Sequence, residues 1–321
     1  MTAIIFEIYR YNPEKDTEGY YKKYAVEVLT GTTISQVLRK IKDKADGTLT
    51  FRQGCGCAIC GTCAVRINGR PMLACKTKII DILPDLEGAA LEREEIRIEP
   101  LSNSKIIKDL VVDEKHFWDN VKKAMPWLIE EQKIDMEQKH IDDMKGSQDC
   151  INCHACSSAC DSVEYDDSFL GPEAFVTLHR FAKDPRDGAK IQRLMLANDN
   201  NLWNCVRTYT CIDNCPKDIR PADKITELHE MGIDQGLGGK PQRHAKHFIS
   251  GLKSKGKLDE LMMPIKTLRM EVLGFVPDTI KMVSKGKMPP LFGKKIVDHK
   301  EVWNLIQLAE DQKEKNKEKT S

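Results

Sequence analysis

Residues 55–63 read CGCAICGTC, and this stretch decides what to expect of the N-terminal part of the chain. Three of its cysteines follow the spacing C-x4-C-x2-C, and another cysteine lies further along the chain. In such an arrangement four thiolates bind a 2Fe-2S cluster. The predicted ligands are Cys55, Cys60, Cys63 and Cys75. Cys57 does not fit the spacing, so we expect it to be a loop thiol without a ligand role.

Two further cysteine groups have the spacings of cubane ligands. Residues 150–160 read CINCHACSSAC, a C-x2-C-x2-C-x3-C run, and residues 205–216 read CVRTYTCIDNCP. In proteins with two such clusters, the fourth cysteine of a run binds the other cluster. We therefore expect the two groups to exchange one cysteine each. The predicted 4Fe-4S ligands are Cys150, Cys153, Cys156 and Cys215, and the ligands left for the last cluster are Cys160, Cys205 and Cys211.

The last cluster has only three predicted cysteine ligands. A fourth would be expected near position 208, but that residue is Thr208, so a 3Fe-4S cluster is the simplest interpretation. His154 lies inside the second cysteine group, whose four ligand positions are already filled. We therefore expect His154 to be a neighbouring or exposed imidazole and not a ligand.

The sequence contains no convincing site for substrate chemistry. Residues 236–239 read GLGG, but they lack the spacing and the preceding strand of a nucleotide-binding fingerprint. No dicarboxylate site can be assigned either, so no catalytic residue is predicted. Any oxidation or reduction of a substrate is expected on another subunit.

Composition limits the alternative explanations of the cysteines. The chain has 321 residues, a mass of 36.5 kDa and 40% hydrophobic residues, enough to bury two cores without disulfides. A formal net charge of +1 argues against nucleic-acid binding, and no apolar run approaches the ~18 residues of a membrane span. Structural zinc stays open, because Cys60-x2-Cys63 and Cys150-x2-Cys153 are also zinc spacings. A zinc-stabilised interaction protein is therefore the alternative from a different functional class.

The sequence predicts an α+β protein whose first domain, residues 1–110, is a β-grasp ferredoxin domain with a 2Fe-2S cluster. Apolar alternation and β-rich composition predict its strands. The predicted strands are residues 4–9, 24–29, 64–68, 72–80 and 95–99. Thr33 and Gln36 form a T-x-x-Q capping box before a helix with apolar residues at helical spacing. These apolar residues are Ile34, Val37, Leu38 and Ile41.

Residues 111–240 are predicted to form an all-α domain of the bacterial-ferredoxin type. Pro172 and Pro221 each open a predicted helix, because proline is favoured at the first helical position. One apolar stripe is expected at Trp118, Val121, Met125 and Leu128. Residues 241–321 are predicted to be a helical C-terminal extension that either docks on a partner or is solvated.

Together these motifs resemble the iron-sulfur subunit of the succinate dehydrogenase and fumarate reductase family over about residues 1–230. Beyond the cysteines, the resemblance rests on IEPL at 98–101, IKDLVVD at 107–113, LAC at 73–75 and LGP at 170–172. It implies an electron-transfer subunit of a succinate:quinone or quinol:fumarate oxidoreductase, with FAD and the substrate site on a partner flavoprotein. Electrons would pass between that flavin and the quinone pool through the 2Fe-2S, 4Fe-4S and 3Fe-4S clusters.

The chain departs from the family at the quinone end. Family members usually have Pro and then Trp after the first cubane run, and often His within the second, whereas this chain has Asp161, Val163, Glu164 and Val206. Residues 285–292 (KGKMPPLF) resemble a segment of heterodisulfide-reductase C-type subunits, which work beside a cysteine-rich partner. The resemblance therefore favours a type-E-like branch such as methylmenaquinol:fumarate reductase. It implies a membrane-associated or cysteine-rich, heterodisulfide-reductase-B-like partner subunit.

A relay in a thiol- or heterodisulfide-linked fumarate reductase is the second alternative. No cysteine follows Cys215, so the thiol chemistry of such an enzyme would have to reside on another subunit. In either case we expect the chain at the cell membrane through its partners, on the cytoplasmic face by default. Export together with a signal-bearing flavoprotein would place it on the periplasmic face. Residues 311–321, dominated by Lys and Glu, are expected to be solvated.

Overall fold

The computed structural model describes residues 2–29, 31–84, 95–288 and 295–320. Contacts between residues form two compact units, Met1–Gln235 and Gly236–Ser321. The first unit holds all twelve cysteines. The second unit begins close to the predicted start of the C-terminal extension, and the predicted division of the first unit near residue 110 stays a prediction.

A five-stranded mixed sheet forms the N-terminal part of the first unit, in the order β2-β1-β5-β3-β4. Its strands are β1 (Thr2–Arg10), β2 (Tyr20–Val28), β3 (Ala64–Ile67), β4 (Arg70–Leu73) and β5 (Glu95–Glu99). β1 pairs antiparallel with β2 and parallel with β5, while β3 lies antiparallel to both β4 and β5. Ile4, Phe6 and Ile8 of β1 are buried in one apolar core, as their alternation predicts.

Helix α1 (Ile34–Lys44) packs on this sheet and begins at the predicted capping box. The Gln36 backbone N–H donates to Thr33 Oγ1 at 3.3 Å, and the Thr33 N–H donates to Gln36 Oε1 at 2.8 Å. These bonds satisfy two N–H groups that a helix start otherwise leaves without partners. The four apolar residues predicted for its buried face are all buried, namely Ile34, Val37, Leu38 and Ile41.

The predicted strand at 72–80 is wrong. β4 ends at Leu73, and helix α2 (Ile79–Ile82) follows a turn. Thr77 Oγ1 donates to the Leu73 carbonyl at 3.0 Å, and the Lys78 N–H donates to Asp81 Oδ2 at 2.9 Å. Such local side-chain bonds compete with strand pairing. The turn leaves Cys75 beside the cysteine loop, where its sulfur accepts a hydrogen bond from the Ala58 N–H.

A hairpin and a set of helices complete the first unit. They are β6 (Ile106–Lys108), β7 (Val111–Val112), α3 (Lys115–Lys123), α4 (Gln138–Met144), α5 (Ala155–Ser158), α6 (Asp161–Tyr165), α7 (Pro172–Lys183), α8 (Lys190–Asp199), α9 (Thr210–Asp213) and α10 (Pro221–Asp234). Helix α7 packs against α8 and α10. Pro172 and Pro221 are the first residues of α7 and α10, as predicted.

The apolar stripe predicted at 118–128 is also wrong. Helix α3 ends at Lys123, Trp118 is exposed, and the buried apolar side chains of the helix are Phe117 and Val121. Pro126 lies inside this stripe and ends the helical pattern locally, because proline lacks an N–H and disfavours a helical conformation at the residue before it. The fully buried Arg193 guanidinium binds the backbone carbonyls of residues 124, 125 and 127, and these bonds hold the chain in a non-helical path.

The second unit consists of helices. They are α11 (Gly239–Lys255), α12 (Met262–Leu268), α13 (Val276–Ser284) and α14 (His299–Thr320). α11 packs against α12 and α14, and Lys253 Nζ lies 2.7 Å from Glu310 Oε1. Of the segment that resembles heterodisulfide-reductase C-type subunits, residues 289–292 lie outside the described residues. Within the part of the chain that the structure describes, none of the helices combines the length and hydropathy needed to cross a bilayer.

Candidate functional site

The first cysteine group lies on an irregular loop between α1 and β3. The backbone N–H groups of Cys57, Ile59 and Cys60 all donate to Cys55 Sγ, at 3.3–3.4 Å. These bonds, the one from Cys57 first, lower the pKa of the exposed Cys55 thiol to about 6, because they stabilise its thiolate. In the same loop the Cys55 N–H donates to Cys60 Sγ at 3.4 Å. The loop therefore directs N–H groups at sulfur.

Glycine is required where this loop bends most tightly. A Cβ at Gly54 would lie 2.8 Å from Cys60 Sγ, closer than real Cβ atoms approach a neighbour. Gly61 has a φ of +73°, and a Cβ there would lie 2.9 Å from the Cys153 Cα and 2.8 Å from the Ile151 carbonyl oxygen. The first cysteine loop thus contacts the start of the second cysteine group through backbone.

Cys57 is the exposed thiol of this loop that the spacing leaves without a ligand role. Its own thiol bonds to the Cys55 sulfur, which raises the pKa of Cys57 above its usual value. That Cys57 does not bind the cluster stays a prediction.

Four cysteines line one cavity at the centre of the helical region. They are Cys150, Cys153, Cys156 and Cys215, the set predicted from two separate runs. The rest of the wall is largely apolar and includes Ile151, Val176 and Ile219. Burial raises the pKa of Cys150 to about 12 and that of Cys153 to about 11, because a buried thiolate lacks solvation. Cys215 Sγ accepts a hydrogen bond from the Ile219 N–H at 3.4 Å.

The third group brings together Cys160, Cys205 and Cys211. Burial raises the pKa of Cys211 to about 12, and the neighbouring sulfurs of Cys160 and Cys205 add to the effect. Thr208 is exposed, and its Oγ1 lies 3.2 Å from Thr210 Oγ1. Thr208 therefore occupies the loop beside the three thiols without adding a sulfur ligand.

The two cubane groups have similar backbone geometry. His154 (φ +67°) precedes α5, which contains Cys156, and Tyr209 (φ +62°) precedes α9, which contains Cys211. α5 and α9 pack against each other. Each short helix therefore follows a residue with left-handed backbone conformation and contains one predicted cluster ligand.

The residues that depart from the family pattern lie around the third group. Asp161 and Val163 are half-buried, whereas Glu164 and Val206 are exposed. Tyr165 and Tyr209 add exposed aromatic rings to the same part of the chain. Among the residues that the structure describes, no three His, Cys, Asp or Glu side chains converge as the ligands of a single metal ion do.

Two buried polar residues beside the cubane groups have no role predicted from the sequence. His154 is buried and packs against Phe117 with ring centroids 4.4 Å apart, so of the two alternatives predicted for it the exposed imidazole is excluded and the neighbouring imidazole remains. Burial lowers the pKa of His154 to about 4, and its Nδ1 has no hydrogen-bond partner. Glu173 is 2% exposed, and burial raises the pKa of its carboxyl group to about 7. Its position in the LGPE segment gives no signal, because Ser157 and Cys156, which it contacts, belong to a different segment.

Polar contacts join the sheet domain to the helical region. Lys76 Nζ donates to the Pro216 carbonyl at 2.8 Å, and the Ser102 N–H donates to Ser158 Oγ at 3.0 Å. Asn103 Nδ2 donates to the Cys160 carbonyl at 3.1 Å. These bonds attach the segments that hold the second and third cysteine groups to residues of the sheet domain and of the chain that follows it.

Comparison with known proteins identifies both cluster-binding parts. Residues 5–119 match a family described as a 2Fe-2S iron-sulfur cluster binding domain, and residues 146–219 match a 4Fe-4S dicluster domain. The chain is 33% identical to the 8-methylmenaquinol:fumarate reductase iron-sulfur subunit of Wolinella succinogenes, over 95% of this chain and 98% of that protein. It is 34% identical to the fumarate reductase iron-sulfur subunit of Haemophilus influenzae, over 78% of this chain and 96% of that protein.

A solved structure agrees with these relatives. A chain of the Mycobacterium smegmatis Sdh1 complex in the apo form superposes with a TM-score of 0.63 at 25% identity, covering 73% of this chain and 96% of that chain. Both the α+β fold with its ferredoxin-like sheet domain and the helical cluster domain are therefore confirmed. The chain belongs to the family of iron-sulfur subunits of succinate dehydrogenase and fumarate reductase, the electron-transfer subunits of these oxidoreductase complexes.

Proposed function

We propose that the chain relays electrons through three clusters between a flavoprotein and a quinone-linked subunit. The proposed 2Fe-2S ligands are Cys55, Cys60, Cys63 and Cys75, the proposed 4Fe-4S ligands are Cys150, Cys153, Cys156 and Cys215, and the proposed 3Fe-4S ligands are Cys160, Cys205 and Cys211. The surroundings of these thiols suit iron-sulfur clusters. In the loop, backbone N–H groups donate to sulfur, and in the helical region four thiols line one cavity.

The strongest support is the exchange of cysteines between the two cubane runs. Cys215 lines the cavity of the first run, and Cys160 lies with Cys205 and Cys211 of the second. Zinc sites built from consecutive C-x2-C pairs have no need of such an exchange. Paired ferredoxin clusters require it.

The order of the relay is supported by contacts between neighbouring groups. Gly61 of the first loop abuts Cys153 of the second group, and α5 lies between Cys153 and Cys160 in the chain. The clusters would therefore stand in the order 2Fe-2S, 4Fe-4S and 3Fe-4S between the flavoprotein and the quinone-linked subunit. When bound, the clusters supply one-electron redox chemistry, and this chain provides their ligands and surroundings.

The third cluster is proposed to hold three irons because Thr208 takes the place of a fourth thiolate. Thr208→Cys tests this. We expect the variant to convert the third cluster from 3Fe-4S to 4Fe-4S, with loss of the EPR signal of the oxidised 3Fe-4S form. Thr210→Cys, two residues away, is the matched control and should leave the signal unchanged. Retention of the 3Fe-4S signal in a fully loaded Thr208→Cys protein would contradict this geometry.

The proposed partners are a flavoprotein with FAD, which holds the succinate or fumarate site, and a membrane-associated or cysteine-rich, heterodisulfide-reductase-B-like subunit. The similarity to the 8-methylmenaquinol:fumarate reductase subunit spans 95% of this chain and so extends into the second unit. This supports the type-E-like branch and a menaquinone-type electron carrier. The chain would then attach to the membrane through its partners. Whether it is exported together with the flavoprotein would decide on which face of the membrane it lies.

The second unit is proposed to dock on the cysteine-rich partner. Residues 236–321 contain 18 Lys and Arg against 10 Asp and Glu, so this unit is strongly basic although the whole chain is nearly neutral. It also exposes large apolar side chains between residues 270 and 283, including Met270, Phe275 and Ile280. A basic surface with exposed apolar residues fits an acidic protein surface that covers the apolar side chains.

Purification of the native complex tests the proposed function. Freeze-quench EPR after adding succinate should show the 2Fe-2S cluster reduced before the 3Fe-4S cluster, and peptide mass spectrometry should find a flavoprotein and a cysteine-rich subunit. A complex with a haem b anchor and no cysteine-rich subunit would overturn the type-E-like assignment. A chain that contains zinc and no iron would overturn the relay itself.

A further inference from the structure

The chain that follows the sheet domain contacts the segment that joins two proposed cluster sites. Ser102 and Asn103 come shortly after β5, the last strand of the sheet. Both form hydrogen bonds with residues 157–160, which connect Cys156, a proposed 4Fe-4S ligand, to Cys160, a proposed ligand of the third cluster. The two linker residues therefore bind a short stretch of backbone that both clusters share.

Asn103 and Ser102 bind three carbonyl groups of this segment. Asn103 Nδ2 donates to the Ser157 carbonyl at 2.8 Å and to the Cys160 carbonyl at 3.1 Å. Both partners are acceptors, so the nitrogen of the amide, and not its oxygen, must face them. Ser102 Oγ donates to the Ser158 carbonyl at 2.5 Å, and the Ser102 N–H donates to Ser158 Oγ at 3.0 Å. Two adjacent linker residues thus hold three carbonyl groups of one segment.

The segment has little stability of its own. Helix α5 has four residues, and a single helical turn is unstable in isolation. Ser157 and Ser158 lie at its end, where a helix leaves carbonyl groups without intrahelical partners, and both residues are buried from water. The Cys160 carbonyl also accepts the Glu164 N–H at 3.1 Å, within the first turn of α6. Asn103 therefore holds the end of one helix and the start of the next.

The first turn of α6 directs N–H groups at a proposed cluster ligand. Burial raises the pKa of Cys160 to about 11, and hydrogen bonds from the Val163 and Ser162 N–H groups to its sulfur oppose that rise. Hydrogen bonds of this kind stabilise the more negative, reduced form of a cluster, so they raise its reduction potential. Their geometry depends on where α6 starts relative to Cys160, and the Asn103 side chain holds that start in place.

We propose that Asn103 and Ser102 are positioning residues that fix residues 157–160 and thereby keep the reduction potential of the third cluster high. They act through the backbone and bind neither a cluster nor a substrate. The inference rests on the proposed function, because it needs the third cluster. A purely structural role, in which the two residues only attach the sheet domain to the helical region, would change the stability of the protein and leave the potential of the third cluster unchanged.

Neutral substitutions remove the two donors without adding charge near the cluster. Asn103→Gly removes the amide and suits the left-handed backbone at this position (φ +59°), whereas Ser102→Ala removes only the hydroxyl. In an EPR redox titration of the full-length, iron-loaded chain, each should lower the equilibrium constant for reduction of the third cluster about threefold, or about 28 mV for a one-electron couple. Ser102→Thr keeps a hydroxyl and should stay close to the wild type. The potential of the 2Fe-2S cluster should not move in any of these variants.

Asn68→Gly is the matched control. Asn68 also has a left-handed backbone (φ +48°), but it lies in the exposed turn between β3 and β4, so its substitution should leave all three potentials unchanged. If Asn103→Gly fails to assemble its clusters, the comparison of Ser102→Ala with Ser102→Thr replaces it. The inference is overturned if the donor-free variants keep the wild-type potential of the third cluster, or if the 2Fe-2S potential falls equally. Absence of the third cluster from the wild-type chain would instead refute the proposed function.

Discussion

Three of the four cysteines in the loop at residues 53–63 are exposed and only Cys63 is buried, whereas the cysteines of the helical region are half-buried or, at Cys211, buried. In the loop, backbone N–H groups lower the pKa of Cys55 to about 6. In the helical region, burial raises the pKa of Cys150 to about 12 and that of Cys160 to about 11. Because iron binds thiolates, the loop presents a ligand that is already ionised, while the helical region needs bound iron to balance its buried charge.

This difference indicates two kinds of cluster site in one chain. The 2Fe-2S loop is attached to a sheet whose apolar core is complete without metal, so we expect the sheet domain to keep its fold when iron is removed. In the helical region four cysteines line one cavity, so the fold of this region should depend on the cluster that binds there.

Cys215→Ser should have the largest effect. Loss of this thiolate removes a ligand from the cavity of Cys150, Cys153 and Cys156, so the 4Fe-4S EPR signal should disappear and succinate-linked electron transfer should fall to background. The 2Fe-2S signal should persist, because the loop forms independently. Cys57→Ser is the matched control and should keep every cluster. A Cys215→Ser protein that keeps its 4Fe-4S cluster would show that the two runs do not exchange cysteines.

Arg193→Met should destabilise the helical region by about 3–5 kcal/mol, because it leaves Asp187 buried without its partner. Although burial alone would raise it, the Arg193 guanidinium holds the pKa of Asp187 below its usual value. That stability is present above the ordinary aspartate pKa of about 4 and is lost as pH falls through the lower folded value. Urea unfolding of the iron-loaded protein across pH measures it.

The double variant Arg193→Met/Asp187→Leu is the control for this pair. It removes both buried charges, so it should recover part of the lost stability and should lose the acid dependence that the pair contributes. Equal destabilisation of the single and double variants would mean that the three carbonyl bonds of Arg193, and not its charge, stabilise the region.

Gly61→Ala should destabilise the contact between the loop and the helical region by about 2–4 kcal/mol, because it adds a clash with Cys153 to backbone strain. Gly56 has a similar φ of +71°, but a Cβ at that position would meet nothing within 4 Å, so Gly56→Ala should cost only about 1 kcal/mol. Thermal unfolding of both variants separates the loss of stability caused by the clash with Cys153 from the loss caused by backbone strain alone. Equal losses would show that the loop does not press on the second cysteine group.

Thiol alkylation of the iron-free chain should show the smallest structural effect and the clearest pH dependence. Iodoacetamide should modify Cys55 faster than Cys57 at pH 7, because the pKa of Cys55 is lowered and that of Cys57 is raised. The rate at Cys55 should level off above about pH 7, because the Cys55 thiolate is then complete. The rate at Cys57, whose pKa is raised, should still increase at pH 9. Peptide mapping measures each rate, and equal reactivity of Cys55 and Cys57 would contradict the role of the loop N–H groups.

Local patterns in the sequence are sufficient to predict much of the fold. The alternation of Ile4, Phe6 and Ile8 and the capping box of Thr33 and Gln36 act over a few residues, and both are confirmed. The cysteine spacings likewise identify the cluster domains that the family comparison confirms. The failure after α3 has two causes: Pro126 is a local helix stop that the apolar spacing leaves out of account, and Arg193 binds the Ala124 carbonyl from some seventy residues away.

The same limit applies to the candidate site. Glu173 and Ser157 lie sixteen residues apart and meet only because Gly171 turns the chain back, so no spacing rule predicts their pair. The turn at Thr77 is not predicted for a related reason. The segment contains β-favouring residues, and the bond from the Thr77 side chain to the backbone that competes with strand pairing has no signal in the sequence. Spacing thus predicts which residues bind iron, whereas the side chains that surround the sulfur atoms require the three-dimensional structure.

Mössbauer and EPR spectroscopy of the full-length chain, purified without oxygen, test the three-cluster assignment most directly. We predict about nine iron ions per chain, in one two-iron, one four-iron and one three-iron cluster. Chelation should then unfold the helical region while the sheet domain keeps its circular dichroism. Zinc in place of iron, or a chain with only two clusters when fully loaded, would contradict the relay.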